Sequence, residues 1–540
     1  MTSPPPIAGP YRTDLRARSA YAEGAGIYRI VPAAVAMPAG VDDLVALIRW
    51  AGGSRSPLVL RGAGSAMGGG NVGDGTIVDL AGLRERPIAI DAARRTARAD
   101  AAVTLEELNR QARLDCLRLP PDPSSARWAT LGGIVSTNAA GARSVRYGSV
   151  RRWVQAVELV TADGDRLRLA RGRAPDPVPA VERFRRDAEP ALRSAADAIR
   201  AAFPRTRKNS SGYALDAWLA SGDLLDLVIG AEGTLGVVTA VEWRLDRIPA
   251  ERVALRVALP SMDRFAEAVE VILARRPSAL ELLDRSFLDL VADRLPADAA
   301  GAAAGAEAIL LVDLEGDDAA ELAAASAALA RALAPLAARV DTATSARDAA
   351  RLWEIRHAAS PILAGLPETR RSLQVIEDGC VPVSRVGEYV RFVRRAAAAR
   401  GLDVVAFGHA GDGHVHVNLL PELARAGWEG EVAALLDDVT GEIVRLGGTP
   451  SGEHGDGRLR APLLERVYGA GIVALFRRVK DAFDPHGILN PGVIVPDGGA
   501  SVTRLKTGDG AVPLPPDIAA GLRRIERTGG YATPRLSLAD

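Results

Sequence analysis

The chain has 540 residues, 48% of them apolar, enough for extensive cores, and a prior of roughly 150 residues per domain predicts two to four domains. Lys plus Arg and Asp plus Glu number 67 each, and this zero net charge argues against a strong polyanion binder, so no nucleic-acid partner is expected. Two cysteines, Cys116 and Cys380, are too few and too far apart for a disulfide framework, a CxxC zinc site or a cysteine-ligated iron–sulfur cluster, and read as small residues in a reducing compartment.

The N-terminal MTSPPPIAGPYRTDLRARS has no apolar core and is not read as a signal peptide. No apolar run reaches the length of a membrane span, about 18 residues. The expected location is the cytoplasm, with peripheral contact at the inner face of a membrane left open.

In chain order, VAMP (Val35–Pro38) is a short strand candidate, and Val41, Leu44, Val45, Leu47 and Ile48 have helical spacing. Leu58, Val59 and Leu60 form a strand that runs into a glycine cluster. Thr104 with Glu107 makes a capping box for another helix. Val157 to Val160, followed by Asp163-Gly164, predicts a strand entering a hairpin. Leu224 to Val238 reads as a glycine-punctuated, strand-like stretch. Between about 250 and 345, the strands Val253–Leu259 and Ile309–Asp313 alternate with Ala-rich helices, which predicts an α+β domain. Beyond about Asp497 no period is visible, and an extended tail or partner-binding arm is expected.

The segment RGAGSAMGGGN (Arg61–Asn71) lets backbone approach a ligand and exposes amide donors, as a phosphate cradle requires. It is neither a GxGxxG helix opening nor a Walker loop, and alone it fits an ordinary surface loop equally well. Pro120 to Val150, nearly uncharged until Arg143 and rich in small residues, suits backbone packed against an extended cofactor. KNSSGYALD (Lys208–Asp216) and GAEGTLGVVT (Gly230–Thr239) follow.

These four segments, in this order, resemble the FAD domain of the vanillyl-alcohol oxidase / para-cresol methylhydroxylase superfamily over roughly residues 30–245. The resemblance implies that the first loop holds the FAD pyrophosphate through Arg61, Gly62, Gly64, Ser65, Gly68 and Gly69. Further cofactor contacts are implied for Pro121, Ser124, Gly132, Gly133, Asn138 and Gly141, and for Glu232, Gly236, Val237 and Asn490. Relatives that bind FAD covalently use a His or Cys in the first loops. Here no His precedes His357 and Cys116 lies outside those loops, so FAD is expected to be non-covalent.

The histidines are six, at 357, 409, 414, 416, 454 and 486, and four of them fall in two short motifs. In GHAGDGHVHVN (Gly408–Asn418), His414 and His416 share a face if the segment is a strand, and a tight turn brings His409 back beside His416. SGEHGDG (Ser451–Gly457) adds the carboxylate of Glu453 and the imidazole of His454. Two imidazoles and one carboxylate make a ligand set for Zn²⁺, Mn²⁺ or Fe²⁺. Solvent-exposed loop histidines beside flexible glycines are the plainer reading of either motif alone.

Both motifs, with FDPHGILNPG (Phe483–Gly492), resemble the C-terminal domain of FAD-linked D-2-hydroxy-acid dehydrogenases: the D-lactate and D-2-hydroxyglutarate dehydrogenases and the glycolate oxidase flavin subunit. The resemblance implies metal ligands His409, His416 and Glu453 and a catalytic base at His454. His414 stands where Asn is usual and is left as a fourth ligand, a second base or neither. In LWEIRHAASP, Arg356 and Ser360 match an arrangement against the substrate carboxylate, and Asn418 is a third implied substrate contact. VIEDGCVP lacks the Lys that some relatives use for a second carboxylate, which weighs against 2-hydroxyglutarate. ELLDRSF, IEDGCVP and SGEHGDGRLR resemble a larger branch in which a flavin half is fused to an iron–sulfur half, and this chain is expected to carry the flavin half alone.

The implied organisation is α+β: an N-terminal extension (1–30), a two-part PCMH-type FAD domain (31–248), an α+β FAD-linked oxidase C-terminal domain (249–495) and a tail (496–540). The implied reaction is oxidation of a small D-2-hydroxy acid by hydride transfer to FAD. Electrons then pass to an iron–sulfur subunit, an electron-transfer flavoprotein or a quinone. The rivals are non-redox alkyl transfer of the alkylglycerone-phosphate synthase kind and a non-catalytic flavin subunit.

Overall fold

A computed structural model describes residues 3–294, 300–301, 303–343 and 345–540, with the side chains of 294 and 357–361 outside that description. A small sheet comes first. Strands β1 (Tyr11–Arg12), β2 (Ala34–Ala36), β3 (Leu58–Arg61) and β4 (Thr76–Asp79) form it in the order β1-β2-β4-β3, with β2, β4 and β3 parallel. The helix Val41–Ser54 joins β2 to β3 and buries Leu44, Leu47 and Ile48, the stripe predicted from their spacing.

Strands β5 (Ala89–Asp91) and β6 (Thr96–Asp100) begin the second sheet; β7 (Leu117–Arg118) stands outside it. Between them the helix Leu105–Ala112 opens on the capping box: Thr104 Oγ1 accepts from the Glu107 amide while the Glu107 carboxylate accepts from the Thr104 amide. β8 (Val154–Val160), β9 (Arg166–Ala170) and β10 (Val237–Arg244) complete an antiparallel sheet ordered β5-β6-β10-β8-β9. The β8–β9 pair is the hairpin expected around Asp163-Gly164. Leu224 to Val238 is not one strand. Leu224–Val228 is a buried helix, Gly230 breaks it at φ 89°, and only from Val237 is the chain extended. A short apolar run buried on all sides has no period that separates helix from strand.

After β11 (Asp246–Arg247), which pairs with β7, comes a seven-stranded antiparallel sheet. Its strands are β12 (Glu251–Leu259), β13 (Ala279–Asp284), β14 (Ala308–Gly316), β15 (Arg339–Thr342), β16 (Gly379–Cys380), β17 (Asp403–His409) and β18 (His414–Leu420), ordered β15-β12-β14-β13-β17-β18-β16. The pleat divides its side chains. Leu255, Val257, Leu280, Leu310, Val312, Val415 and Val417 enter one core with the helices Phe265–Leu273, Val386–Ala398 and Trp428–Arg445. Ile309, Leu311, Leu283 and Val405 face the other way, toward Ile355 on the helix Ala346–Ala364. Glu281, His409, His414, His416 and Asn418 have the parity of this second face, so one surface of one sheet gathers them.

Beyond residue 496 the chain is not an extended arm. The helix Pro516–Thr528 buries Ile518, Leu522 and Ile525, and the first two pack against Val35, Val59 and Ile77 of the small sheet and against Tyr21. Glu526 pairs with Arg371 and Lys506, and the Tyr531 ring lies 5.8 Å from that of Trp128. The tail therefore ties the small sheet to the segments that carry Trp128 and Arg371. Among the described residues no helix is long and apolar enough to cross a membrane.

Candidate active site

The hairpin β17–β18 builds the centre. His409 pairs with His414 and Phe407 with His416 across the ladder. The turn between them needs glycine at Gly413, where φ is 75° and an added Cβ would meet the Val381 carbonyl oxygen at 1.9 Å. Nδ1 of His409 is 2.5 Å from Oε1 of Glu281, and Nδ1 of His416 is 2.8 Å from the Glu377 carbonyl oxygen. Each imidazole thus commits Nδ1–H to an acceptor and turns Nε2 inward. The two Nε2 atoms are 3.3 Å apart, and Oε1 of Glu453 lies 3.1 Å from that of His409 and 3.6 Å from that of His416.

Two imidazole lone pairs and a carboxylate oxygen repel unless positive charge lies among them. Burial works against a proton on His409, but the Glu281 and Glu453 carboxylates together outweigh it and lift His409 to about 9. Burial and the neighbouring His414 and His409 push His416 well below the usual range. Burial would raise Glu453, yet Lys208 and His409 hold it well below its ordinary value. This donor set fits a divalent cation as well as it fits that proton.

Asp378 holds the SGEHGDG loop against the hairpin. Its carboxylate accepts from Ser451 Oγ at 2.7 Å, from the amides of Glu453 and His454 at 3.2 and 2.9 Å, and from His414 Nε2 at 2.8 Å. Nδ1 of His454 lies 2.6 Å from Oε2 of Glu377, whose other oxygen accepts from Arg460 at 2.5 Å. Burial alone would lower His454, but Glu377 and Asp378 raise it to about 10. The His454 side chain is 26% exposed, His409 is 6% and His414 is 0%, so of these three His454 is the one most open to an incoming molecule.

A cavity of about 850 Å³ reaches His409, His416, Glu453, His454, Asn418 and Arg356. Arg356 Nε donates to Glu281 Oε2 at 2.9 Å, and its guanidinium stacks 4.5 Å from the Phe407 ring centre. Burial would raise Glu281, but His409 and Arg356 together bring it to about 2. Oδ1 of Asn418 accepts from Ser372 and Gln374 at 3.0 and 3.4 Å, which leaves its amide N–H groups for other partners. Ser360 lies on the Arg356 helix, with its side chain outside the described residues.

A narrower cleft of about 190 Å³ follows the glycine-rich half. Arg61, Gly62, Gly64, Ser65, Ser124, Gly132, Gly133, Glu232, Gly236 and Val237 line it, and Gly141 lines the larger cavity. Among the described residues, none accepts a hydrogen bond from the backbone N–H of Ala63, Gly64, Ser65, Ala66 or Met67. A loop with so many free donors fits a pyrophosphate. Gly64 has φ 79° and Arg61 packed where a Cβ would be, so no other residue fits there without strain. Gly68, Gly69, Pro121, Asn138 and Asn490 stand behind the lining. Asn490 Nδ2, for example, donates to the carbonyls of Gly70 and Glu232 at 2.8 and 3.0 Å. Cleft and cavity share Ser65, Met67, Ser124, Glu453 and His454, so the imidazole cluster faces the place where they meet.

Lys208, Glu281, Glu377, Asp378 and Arg460 received no role from the sequence. For Glu281, Glu377 and Asp378 a signal was present: charged residues inside apolar motifs, as in ELLDRSF and VIEDGCVP, are expensive to bury unless partnered, whereas Lys208 and Arg460 sit in polar, glycine-rich segments that carry no such signal.

A cleft with free amide donors opening onto a carboxylate-buttressed imidazole cluster defines a flavin-dependent oxidoreductase architecture. Two family models agree: "FAD binding domain" matches residues 32–170 and "FAD linked oxidases, C-terminal domain" matches residues 248–494. The D-lactate dehydrogenase of Archaeoglobus fulgidus is 31% identical, over 85% of this chain and 91% of that protein. Glycolate oxidase subunit GlcD of Bacillus subtilis is 30% identical, over 86% and 89%. The D-2-hydroxyglutarate dehydrogenase of Xanthomonas citri pv. viticola is 29% identical, over 85% and 89%. The fold is shared with p-cresol methylhydroxylase at a TM-score of 0.67 and 15% identity, over 90% of this chain and 94% of that one. The chain belongs to the family of FAD-linked D-2-hydroxy-acid dehydrogenases, and it is an FAD-binding enzyme.

Proposed function

We propose that this enzyme oxidises a small D-2-hydroxy acid, such as D-lactate, glycolate or a D-2-hydroxyglutarate-like acid, to the 2-oxo acid, using non-covalent FAD and a divalent cation. The observation that carries this reading is the convergence of Nε2 of His409, Nε2 of His416 and Oε1 of Glu453 where cleft and cavity meet. The metal is Zn, Mn or Fe, held by those three residues.

When bound, FAD supplies the two-electron acceptor, and the cation supplies charge that favours ionisation of the substrate hydroxyl. Arg356, oriented through Nε by Glu281, receives the carboxylate on its remaining guanidinium nitrogens. Asn418, and Ser360 one helical turn beyond Arg356, complete substrate binding. His454 has Nδ1 committed to Glu377, so the Nε2 of its neutral form takes the hydroxyl proton, and because the ring holds its own proton up to about 10 that form grows as pH rises. The glycine loop and the Ser124, Gly132 and Gly133 wall position the cofactor. The final electron acceptor is a separate iron–sulfur subunit, electron-transfer flavoprotein or quinone, met in the cytoplasm or at the inner face of a membrane.

The test is an anaerobic screen of D- and L-2-hydroxy acids followed by flavin absorbance, with and without chelator. Bleaching by a D-acid that a chelator suppresses is expected. A flavin that stays oxidised with every acid, metal present, removes the reading and favours alkyl transfer or a non-catalytic subunit.

A further inference from the structure

Lys208 takes no part in the chemistry above, yet its side chain, 2% exposed, is buried inside the cluster. It comes from KNSSGYALD in the flavin half. Its ammonium donates to Oε2 of Glu453 at 2.8 Å and lies 3.4 Å from Nδ1 of His414, 3.4 Å from the Gly141 carbonyl and 3.6 Å from Oδ2 of Asp412.

The tautomer of His414 follows from these partners. Asp378 can only accept, so Nε2 of His414 carries the proton and Nδ1 is a bare lone pair. An ammonium has donors and no acceptor, so Lys208 caps that lone pair. His409, His414, His416 and Glu453 each offer a ligand atom within 4.8 Å of the others. Three imidazoles and a carboxylate would complete a four-coordinate site of the closed, structural kind, whereas a catalytic site keeps a position free.

We propose that Lys208 keeps the cation site open by withholding Nδ1 of His414 and Oε2 of Glu453 from the metal. Three protein ligands then remain, His409, His416 and a monodentate Glu453, and substrate oxygens take the other positions. His414 becomes a buttress, held between Asp378 and Lys208. Its absence from the cavity wall agrees with this. The inference rests on the reading that the cluster binds a divalent cation.

The probe is Zn²⁺ alone, loaded into the full-length FAD enzyme. Zn K-edge X-ray absorption counts the imidazole ligands, and competition with a chelator measures affinity. The wild type should show two imidazoles. Lys208→Met should recruit His414, giving three imidazoles and Zn²⁺ held about tenfold more tightly, whereas loss of an ordinary outer partner weakens metal binding about 10–100-fold. The double variant Lys208→Met/His414→Gln should return to two imidazoles and cancel the gain. Should Lys208→Met fail to retain FAD, Lys208→Leu and His414→Gln carry the same measurements, and His414→Gln alone should leave two imidazoles. Three imidazoles in the wild type, or two in Lys208→Met with unchanged or weaker affinity, overturns the role of Lys208 while leaving the cation site standing. A wild type that takes up no stoichiometric Zn²⁺ removes the cation site and this inference together.

Discussion

Nε2 of His409 and Nε2 of His416 lie 3.3 Å apart, each with its Nδ1 tied to an oxygen acceptor behind it. Such a pair is stable only with a proton or a cation between the rings. Without metal, the proton is held on His409 up to about pH 9.

On the proposed cation site, metal uptake displaces a proton. Below about pH 9 affinity should fall by about tenfold for each unit of acidification, the slope of one exchanged proton. His416→Ala and Glu453→Gln should lose most of the bound metal by elemental analysis. Pulse titration with Zn²⁺ across pH values checks the slope, and a flat profile would remove His409 as a ligand.

Arg356→Lys keeps the charge but loses the fork that a carboxylate needs. Charge-assisted hydrogen bonds of about 1.5–3 kcal/mol predict a rise in KM of roughly 10–100-fold. Steady-state kinetics with a 2-hydroxy acid reads it. An unchanged KM would place the carboxylate elsewhere.

His454→Ala should keep FAD bound while flavin reduction slows by about 10²–10⁴-fold, the usual worth of a general base. Stopped-flow absorbance under anaerobic conditions measures this, and normal reduction in the variant assigns the base to another group.

Burial, and then the adjacent Asp456 carboxylate, raise Glu232 from 4.5 to about 8. The folded protein holds this proton more tightly than the unfolded chain does. Its contribution to stability is complete below about pH 4.5 and is lost as pH rises through about 8. FAD-free wild type should lose melting temperature over that window more steeply than Glu232→Gln, which carries no titrating group. Parallel slopes in the two proteins would contradict the shift.

Leu522, 4% exposed, fills the core between the C-terminal helix and the small sheet. Leu522→Ala should cost about 2–5 kcal/mol and be visible in thermal unfolding. It should also loosen the mouth of the cavity, because Glu526 and Tyr531 on the same segment line it. A melt within error of wild type would mean that the tail packs weakly.

Local pattern alone determined much of this protein. The apolar spacing from Val41 to Ile48, the Thr104–Glu107 capping box and the Asp163-Gly164 hairpin each satisfy rules that act over a few residues. The same holds for His409 and His416, because the register of one hairpin brings them together. Ile518, Leu522 and Ile525 carry helical spacing too, but their helix is stable only against a sheet made some 440 residues earlier, at Ile77. Only the tertiary structure decided which charged groups face the imidazoles. Lys208 meets His414 across 206 positions of sequence, Glu281 meets His409 across 128, and Asp378 clamps Glu453 across 75. Such contacts leave no period in a sequence, because a buried ion is stabilised by whatever partner the fold delivers to it.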